Sequence, residues 1–430
     1  MNYILAIIFW CFANSSQATE YKLFEDTIKN NAAIQAAYQE YLAINAESFV
    51  TLADYLPQAE LNYKDYENEV GKSSGSIPTD YDIDETNINV SQKIFEFGAI
   101  RKLSSARLKK RQYKIALLEL ISSKYVSLIE LSLLIDSEQK RLSYLEKNLK
   151  LLEEIQKIAK IRFKSGAVNK LDNLQAQTEY MRAKSEYLTV QKDLLANKAN
   201  YKRISGVSYS DNNLKKPEEV ILPLNEFQEL ATVNNFTLKR TKLDNKIAKN
   251  THYMEHKQFA PEAEFFYDYN KTDGNYSYLT NSTSSNSSTT YGVSVTVPLF
   301  KSGANIASVA KAKRNYLMSS FNYQDEVAAV RSEAVDIWEN INLANQIVET
   351  QSKYLEYSEQ SLKAANSNYK YGKTDLLNLL EAQKLHVEAK YELTKAENNV
   401  KLYYYKYLHL IGKLSPEYFQ IDLDSILIRL

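Results

Sequence analysis

Tyr291-Gly292-Val293-Ser294-Val295-Thr296-Val297-Pro298-Leu299-Phe300 is the stretch on which the fold turns. Tyr291, Val293, Val295, Val297 and Leu299 alternate with Gly292, Ser294 and Thr296, the period-two pattern of a strand with one apolar and one polar face. Upstream, Ala263, Phe265, Tyr267 and Tyr269 alternate with Glu262, Glu264, Asp268 and Asn270. The Ser-, Thr- and Asn-rich tract between them, Thr272 to Thr289, reads as a polar loop. Each strand has about ten residues, the length a tilted membrane strand needs. The same alternation also fits an antiparallel sheet packed on a soluble core. Tyrosines at the strand ends, among them Tyr63, Tyr66, Tyr276 and Tyr278, suit an interfacial aromatic girdle.

The pattern occurs twice. Ala59, Leu61 and Tyr63 alternate with polar neighbours, as do Ile88, Val90 and Ile94, with a polar loop from Gly71 to Asp84 between the two runs. Pro57 and Pro261 stand 204 residues apart, Gly98 and Gly303 stand 205 apart, and Gly166/Gly372 and Gly206/Gly412 each stand 206 apart. With ten glycines and seven prolines in the chain, this matched spacing indicates one structural unit in two copies. Asn30-Asn31 answers Asn234-Asn235, and Leu171, Leu174, Ala176 and Gln177 answer Leu377, Leu380, Ala382 and Gln383.

Between the glycine marks the chain reads as helix. Tyr21 to about Asp54 is rich in Ala, Glu, Gln and Leu. From Gly98 to Lys164 there is neither glycine nor proline, enough for roughly 100 Å of helix. Leu142, Leu145, Leu149 and Leu152 form a 3-4-3 seam, and Leu151, Ile155 and Ile158 a second one beside it. Two seams predict a helix packed on two sides. Gly166 turns the chain into a returning helix, and Gly372 does the same in the second copy.

Composition narrows the function. The 430 residues carry 53 basic and 53 acidic side chains, which argues against a nucleic-acid partner. Tyr3 to Phe12 is an apolar run too short to span a bilayer, followed by small residues at Ser16-Gln17-Ala18, so residues 1–18 read as a signal peptide. The single cysteine, Cys11, lies inside it, leaving no disulfide or thiolate chemistry after cleavage. No later segment has the length and apolarity of a membrane helix, so entry into a membrane requires a closed β-barrel. Four strands cannot close one alone, because known membrane barrels begin near eight. The chain is therefore expected to combine with copies of itself, three giving twelve strands.

These features resemble the TolC family of outer-membrane export channels over essentially all of the chain after residue 18. The resemblance rests on Val297-Pro298-Leu299-Phe300 with Gly303, on Gln92-Lys93-Ile94-Phe95 with Gly98, and on the two hairpins. Those hairpins carry Phe163 and Gly166 before Leu171, Asp172 and Leu174, and Tyr369 and Gly372 before Leu377, Asn378 and Leu380. Lys93 departs from the family, which usually has proline there. The resemblance implies an α+β membrane protein, in which a homotrimer forms a twelve-stranded transmembrane β-barrel continuous with a coiled α-helical barrel in the periplasm. It implies a passive export duct served by a periplasmic adaptor and an inner-membrane ABC or proton-driven pump, for type I protein secretion or multidrug efflux. It implies a protein without enzymatic activity. The reading from another class is a coiled-coil surface scaffold or adhesin without transport.

The expected organisation follows. The first repeat is 19–206, with strands 57–68 and 86–95 and a helical hairpin 99–205. A linker spans 207–224. The second repeat is 225–412, with strands 261–271 and 289–300 and a hairpin 304–411, and an irregular tail spans 413–430. The hairpin tips at Gly166 and Gly372 are the adaptor-contact positions that the resemblance implies. Asp172 and Tyr369 match gate-constraining positions, and Asn378 and Glu381 match two acidic, lumen-facing rings of the family. Because Asn378 is an amide, Glu381 alone would supply the carboxylates of a cation-preferring ring; its ordinary alternative is a solvated helix residue.

Nothing in the sequence forms a cofactor or catalytic constellation. His252 and His256 have the spacing of a zinc pair but no third ligand. Arg101, Lys102, Arg107, Lys109, Lys110 and Arg111 form a basic cluster at the start of the long helix, either a solvated face or a contact for lipid phosphates.

Overall fold

The computed structural model describes residues 21–68, 81–166, 169–210, 214–276, 282–299 and 302–427. The expected signal peptide with Cys11, residues 71–80 of the expected 71–84 loop, Tyr278 and Phe300 lie outside the described residues. Residues 21–30 are helical (α1), followed by α2 (Ala32–Ala53), β1 (Gln58–Asn68), β2 (Tyr81–Glu96), α3 (Ala99–Lys164) and α4 (Lys170–Ser205). The second half brings α5 (Leu224–Asn234), α6 (Phe236–Met254), a 3₁₀ turn (Glu255–Phe259), β3 (Glu262–Tyr276), β4 (Ser282–Thr296), α7 (Ala304–Lys370), α8 (Leu376–Leu410) and the short α9 (Leu423–Leu427). No described helix is long and apolar enough to cross a membrane.

Packing divides the chain into two compact units, and neither coincides with a sequence repeat. One gathers residues up to Gln39, Ile115–Lys239 and those from Asp325 on; the other gathers Glu40–Lys114 and Arg240–Gln324. Each unit takes pieces from both halves of the sequence.

The second unit holds one antiparallel sheet in the order β1-β2-β3-β4. Three rows show its faces. Ala59, Val90, Tyr267 and Tyr291 share one row, Leu61, Ile88, Tyr269 and Thr289 the next on that face, and Asn62, Asn87, Asn270 and Ser288 a row on the other. The apolar face lies open: Leu61 is 66% exposed and Val295 62%. A sheet packed on a soluble core would bury these side chains, so within this chain that reading fails. On the polar face, Phe266 stands directly opposite Gly292, with its ring 3.3 Å from where a Cβ would be, covering the bare backbone.

The strand bounds differ from those expected: three strands start or run on into the expected loops, whereas β4 ends at Thr296 instead of near residue 300. β3 and β4 remain paired from Glu262↔Thr296 to Tyr276↔Ser282, so most of the expected loop 272–289 is sheet. β2 starts at Tyr81 rather than near residue 86. Apolar alternation fades there, but the ladder saturates backbone N–H and C=O groups whatever the side chains, and threonine suits a pleated surface. The expected unbroken helix from Tyr21 to Asp54 is interrupted at Asn31. The tail from residue 413 contains α9.

The first unit is helical, with an aromatic centre where Phe24 stacks on Phe419 at 4.3 Å and meets Tyr125 edge-on at 4.8 Å. Two junctions in it use the same contacts. Asn31 caps α2, accepting from the N–H groups of Ala33 and Ile34, and donates to the Ile204 carbonyl at 2.9 Å. Asn235 caps α6, accepting from Leu238 N–H, and donates to the Leu410 carbonyl at 3.3 Å. Gly206 and Gly412 follow those carbonyls with φ of +74° and +65°, and a Cβ on either would collide with Asn30 or with the Asn234 carbonyl. Only one of the two leucine seams on α3 is covered within the chain: Leu145 is 2% exposed, whereas Leu151 is 39% exposed.

Candidate functional site: the hairpin turns

The hairpins α3–α4 and α7–α8 turn with closely similar local chemistry. Gly166 has φ +75° and its N–H donates to the Phe163 carbonyl at 3.0 Å; Gly372 has φ +68° and donates to the Tyr369 carbonyl at 3.1 Å. A helix ends readily on a left-handed residue, and glycine takes that conformation without a Cβ penalty. Nothing lies within 4 Å of where a Cβ would stand on either, so backbone angle rather than crowding selects glycine.

The returning helices are capped alike. Asn169 Oδ1 accepts from Asp172 N–H at 2.8 Å, and Asp375 Oδ1 accepts from Asn378 N–H at 3.2 Å. Asp172 and Asn378 therefore occupy the same third position of their helices. A carboxylate there also meets the positive end of the helix dipole, a structural reason for Asp172. Asn378 instead donates through its side chain to Thr374 Oγ1 at 2.9 Å.

Behind the caps, Leu152 and Ala159 of α3, Ala176 and Ala183 of α4, and Leu376 and Leu380 of α8 form one buried cluster. Tyr369 packs against it, partly buried, so this candidate belongs to the packing of the turn. Glu381 and Asn378 are both exposed, three residues apart on α8. The structure thus joins Tyr369 to the core and leaves Asn378 and Glu381 facing outward.

Further along the hairpins lie polar contacts that the sequence did not signal. Arg141 of α3 pairs with Glu186 of α4 at 2.8 Å and lies 4.5 Å above the Tyr391 ring of α8, beside a groove of about 200 Å³. Buried Asn398 donates to the Leu133 carbonyl, Asp136 and Ser137 at 2.8–3.1 Å, fixing α8 against α3. His386, buried between α7 and α8, meets Ser358 Oγ at 3.3 Å. Burial first, then the nearby Lys390 ammonium, pushes its pKa down. Each partner comes from a distant part of the chain, so no local pattern marks it.

The other sequence candidates resolve as follows. His252 and His256 lie 5.6 Å apart by ring centres, and no group of three metal-ligating side chains occurs among the described residues. In the basic cluster, Lys102 pairs with Asp54 at 2.7 Å and Lys109 with Glu47 at 3.0 Å, whereas Arg101 stacks on Tyr253 at 4.3 Å.

The whole arrangement has counterparts. The chain superposes on the Campylobacter jejuni CmeC outer membrane channel with a TM-score of 0.79 at 13% identity, covering 96% of this chain and 89% of that one. The outer membrane protein VceC of Vibrio cholerae gives 0.76 at 13%, covering 92% and 96%, and a membrane protein from Pseudomonas aeruginosa gives 0.77 at 14%, covering 92% and 93%. No curated protein matches the sequence. The family model described as outer membrane efflux protein matches residues 23–207 and 228–404, most of the chain, and the protein belongs to that family.

Proposed function

We propose that the chain is one third of an outer-membrane export duct: a homotrimer whose three sheets close a twelve-stranded barrel, with the helical hairpins extending into the periplasm. The observation that carries this reading is the sheet, which exposes an apolar face and ends in two edge strands, β1 and β4, each paired on one side only among the described residues. Such edges are aggregation sites unless another chain pairs with them, and closure with identical copies removes them all. Exposed apolar stripes on the hairpins support the same assembly. Leu174, Met181, Leu188 and Leu195 recur every seven residues along α4, and Leu343, Ile347, Tyr354 and Tyr357 line α7. The twice-used Asn–carbonyl junction supports an internal duplication of the sequence.

In this reading the duct passes cargo from an inner-membrane pump through a periplasmic adaptor that meets the tips at Gly166 and Gly372. Asp172, Tyr369, Asn378 and Glu381 lie around the entrance. Multidrug efflux and type I secretion both fit, because the pump selects the cargo. The test is purification of the full chain in detergent, mass measurement by light scattering, and recording in planar bilayers. A trimer with discrete single-channel currents is expected. A detergent-independent soluble species without conductance would sink the duct and favour the surface-scaffold reading.

A further inference from the structure

The second unit holds a strong separation of charge in a chain whose net charge is zero. Between Ala99 and Lys114, α3 carries seven lysines and arginines and no acidic residue, and between Ala304 and Gln324, α7 carries three and again none. In α6, Lys242, Lys246 and Lys249 are exposed at helical spacing, and Tyr253 continues the same face.

Pairing sorts these cations. Lys102 is neutralised by Asp54, just after α2, and Lys109 by Glu47 of α2. Arg107, Arg111 and Lys114 are exposed and, like Lys242, Lys246 and Lys249, form no ion pair among the described residues. The two helices touch through Arg101 over Tyr253 and through a hydrogen bond from Gln112 to Asp244, so the stripes belong to neighbouring helices of one unit.

A collar of exposed apolar side chains lies between this belt and the sheet. Phe49 and Val50 end α2, Ile100 opens α3 at 84% exposure, Phe259 precedes β3, and Leu299 and Ile306 link β4 to α7 at 91% and 66%. The apolar surface therefore continues past the strands onto the helix ends. The first unpaired cations follow within about two to three helical turns: Arg107 and Arg111 after Ile100, Lys311, Lys313 and Arg314 after Ile306. At 1.5 Å per residue that is roughly 8–17 Å, which starts at the outer edge of a headgroup layer about 5–8 Å deep, within reach of a long cationic side chain that extends back toward it. Tyr253, stacked with Arg101, has the amphipathic character of an interfacial anchor.

We infer that this belt is a lipid-binding surface. It selects anionic phospholipid phosphates in the leaflet beside the helical end of the sheet, through Arg107 and Arg111 of α3 and Lys246 and Lys249 of α6. This rests on the membrane reading above and adds a chemical preference to it. An arginine offers a planar fork of donors that matches phosphate, and a cation near an anionic leaflet gains from the surface potential.

The test reconstitutes the full chain in vesicles of phosphatidylcholine with one-fifth phosphatidylglycerol. Lipid retained by the protein after detergent washing is then quantified. The ratio of phosphatidylglycerol to phosphatidylcholine in the retained lipid should be about five-fold above the bulk ratio, the factor contributed by one well-placed cation. The quadruple variant R107Q/R111Q/K246Q/K249Q should fall to parity. The control K150Q/K157Q/K353Q/K363Q removes as many charges from the hairpins and should keep the enrichment. Retained lipid of bulk composition, or enrichment that survives the quadruple variant, overturns the inference. So does an anion preference in single-channel currents that the quadruple variant abolishes, since that would place the belt in the conduit. Failure of the chain to insert at all strikes the duct reading itself, a different result from insertion without headgroup preference.

Discussion

Asn31 donates its side-chain amide to the carbonyl oxygen of Ile204 at 2.9 Å, a hydrogen bond spanning 173 residues. Its counterpart, Asn235 to Leu410, spans 175. In each case one amide starts a helix with its oxygen and secures the end of a returning helix with its nitrogen. Asn31→Ala or Asn235→Ala removes the cap and leaves a carbonyl without its donor, part-buried at Ile204 and buried at Leu410, so each should cost about 2 kcal/mol. Denaturant unfolding of the chain in detergent reads this directly. A loss within experimental error at both sites would reduce the asparagines to passengers of the turn.

Gly412 and Gly372 both hold a left-handed backbone but differ in surroundings. A Cβ on Gly412 would stand 2.5 Å from the Asn234 carbonyl oxygen, and one on Gly372 meets nothing within 4 Å. Gly372→Ala should therefore cost only the backbone penalty, about 1–2 kcal/mol. Gly412→Ala adds steric overlap and should reach about 3 kcal/mol or more. Equal unfolding midpoints for the two variants would contradict the contact.

Lys93 stands where the second copy has Pro298, and the two positions differ in their place in the sheet. β2 lies between β1 and β3, and its pairing continues through a bulge at Lys93/Phe95 to Glu96↔Glu262. β4 is an edge of the chain's sheet and has already ended at Thr296 when Pro298 arrives. Proline interrupts an interior strand but is tolerated beyond the end of an edge. Lys93→Pro should abolish hydrogen-exchange protection at Phe95 and Glu96, whereas Lys93→Gln should preserve it. Its ion pair with Glu262 at 3.9 Å, between partly exposed side chains, contributes at most about 1 kcal/mol, while the one with Glu96 at 3.8 Å reaches a largely buried carboxylate.

His386 is 7% exposed, with Ser358 on one side. Lys390 and Lys363 disfavour its protonation after burial itself, and Glu359 opposes them. Its folded pKa thus lies below the ordinary value of 6.5. Below pH 6.5 the unfolded chain takes up a proton that the folded chain resists, so stability falls as pH drops from that point and levels off below the folded pKa. His386→Gln should flatten this part of the stability profile between pH 6.5 and 5. A wild-type profile with the same slope as the variant would show that the histidine is not sensed.

Glu381 is exposed on α8 next to Asn378. If three copies bring Glu381 together at the duct entrance, three carboxylates in a narrow opening favour cations. Glu381→Gln should lower the cation-to-anion permeability ratio measured by reversal potential, and Asn378→Asp should raise it. An unchanged ratio in both variants would leave Glu381 an ordinary solvated helix residue.

The elements themselves were legible along the chain because their causes are local. Alternation at Tyr291–Val295 forces one apolar face on a strand, and the absence of glycine and proline between Gly98 and Gly166 permits one helix over Ala99–Lys164. The strand ends beyond residue 272 were not legible, because backbone pairing rather than side-chain pattern holds Tyr276 opposite Ser282.

Sequence alone determined that two glycine-turned hairpins and four amphipathic strands exist, since backbone angles and hydrophobic period are properties of neighbouring residues. Only tertiary structure decided which groups meet. It placed Asn398 on Asp136 and Arg141 on Tyr391, paired off Lys102 and Lys109, and left Arg107 and Lys246 bare. It also showed that the apolar face of the sheet is open rather than packed on a core. Burial and charge neutralisation depend on segments tens to hundreds of residues apart in the chain, and such contacts leave no period in the sequence to read.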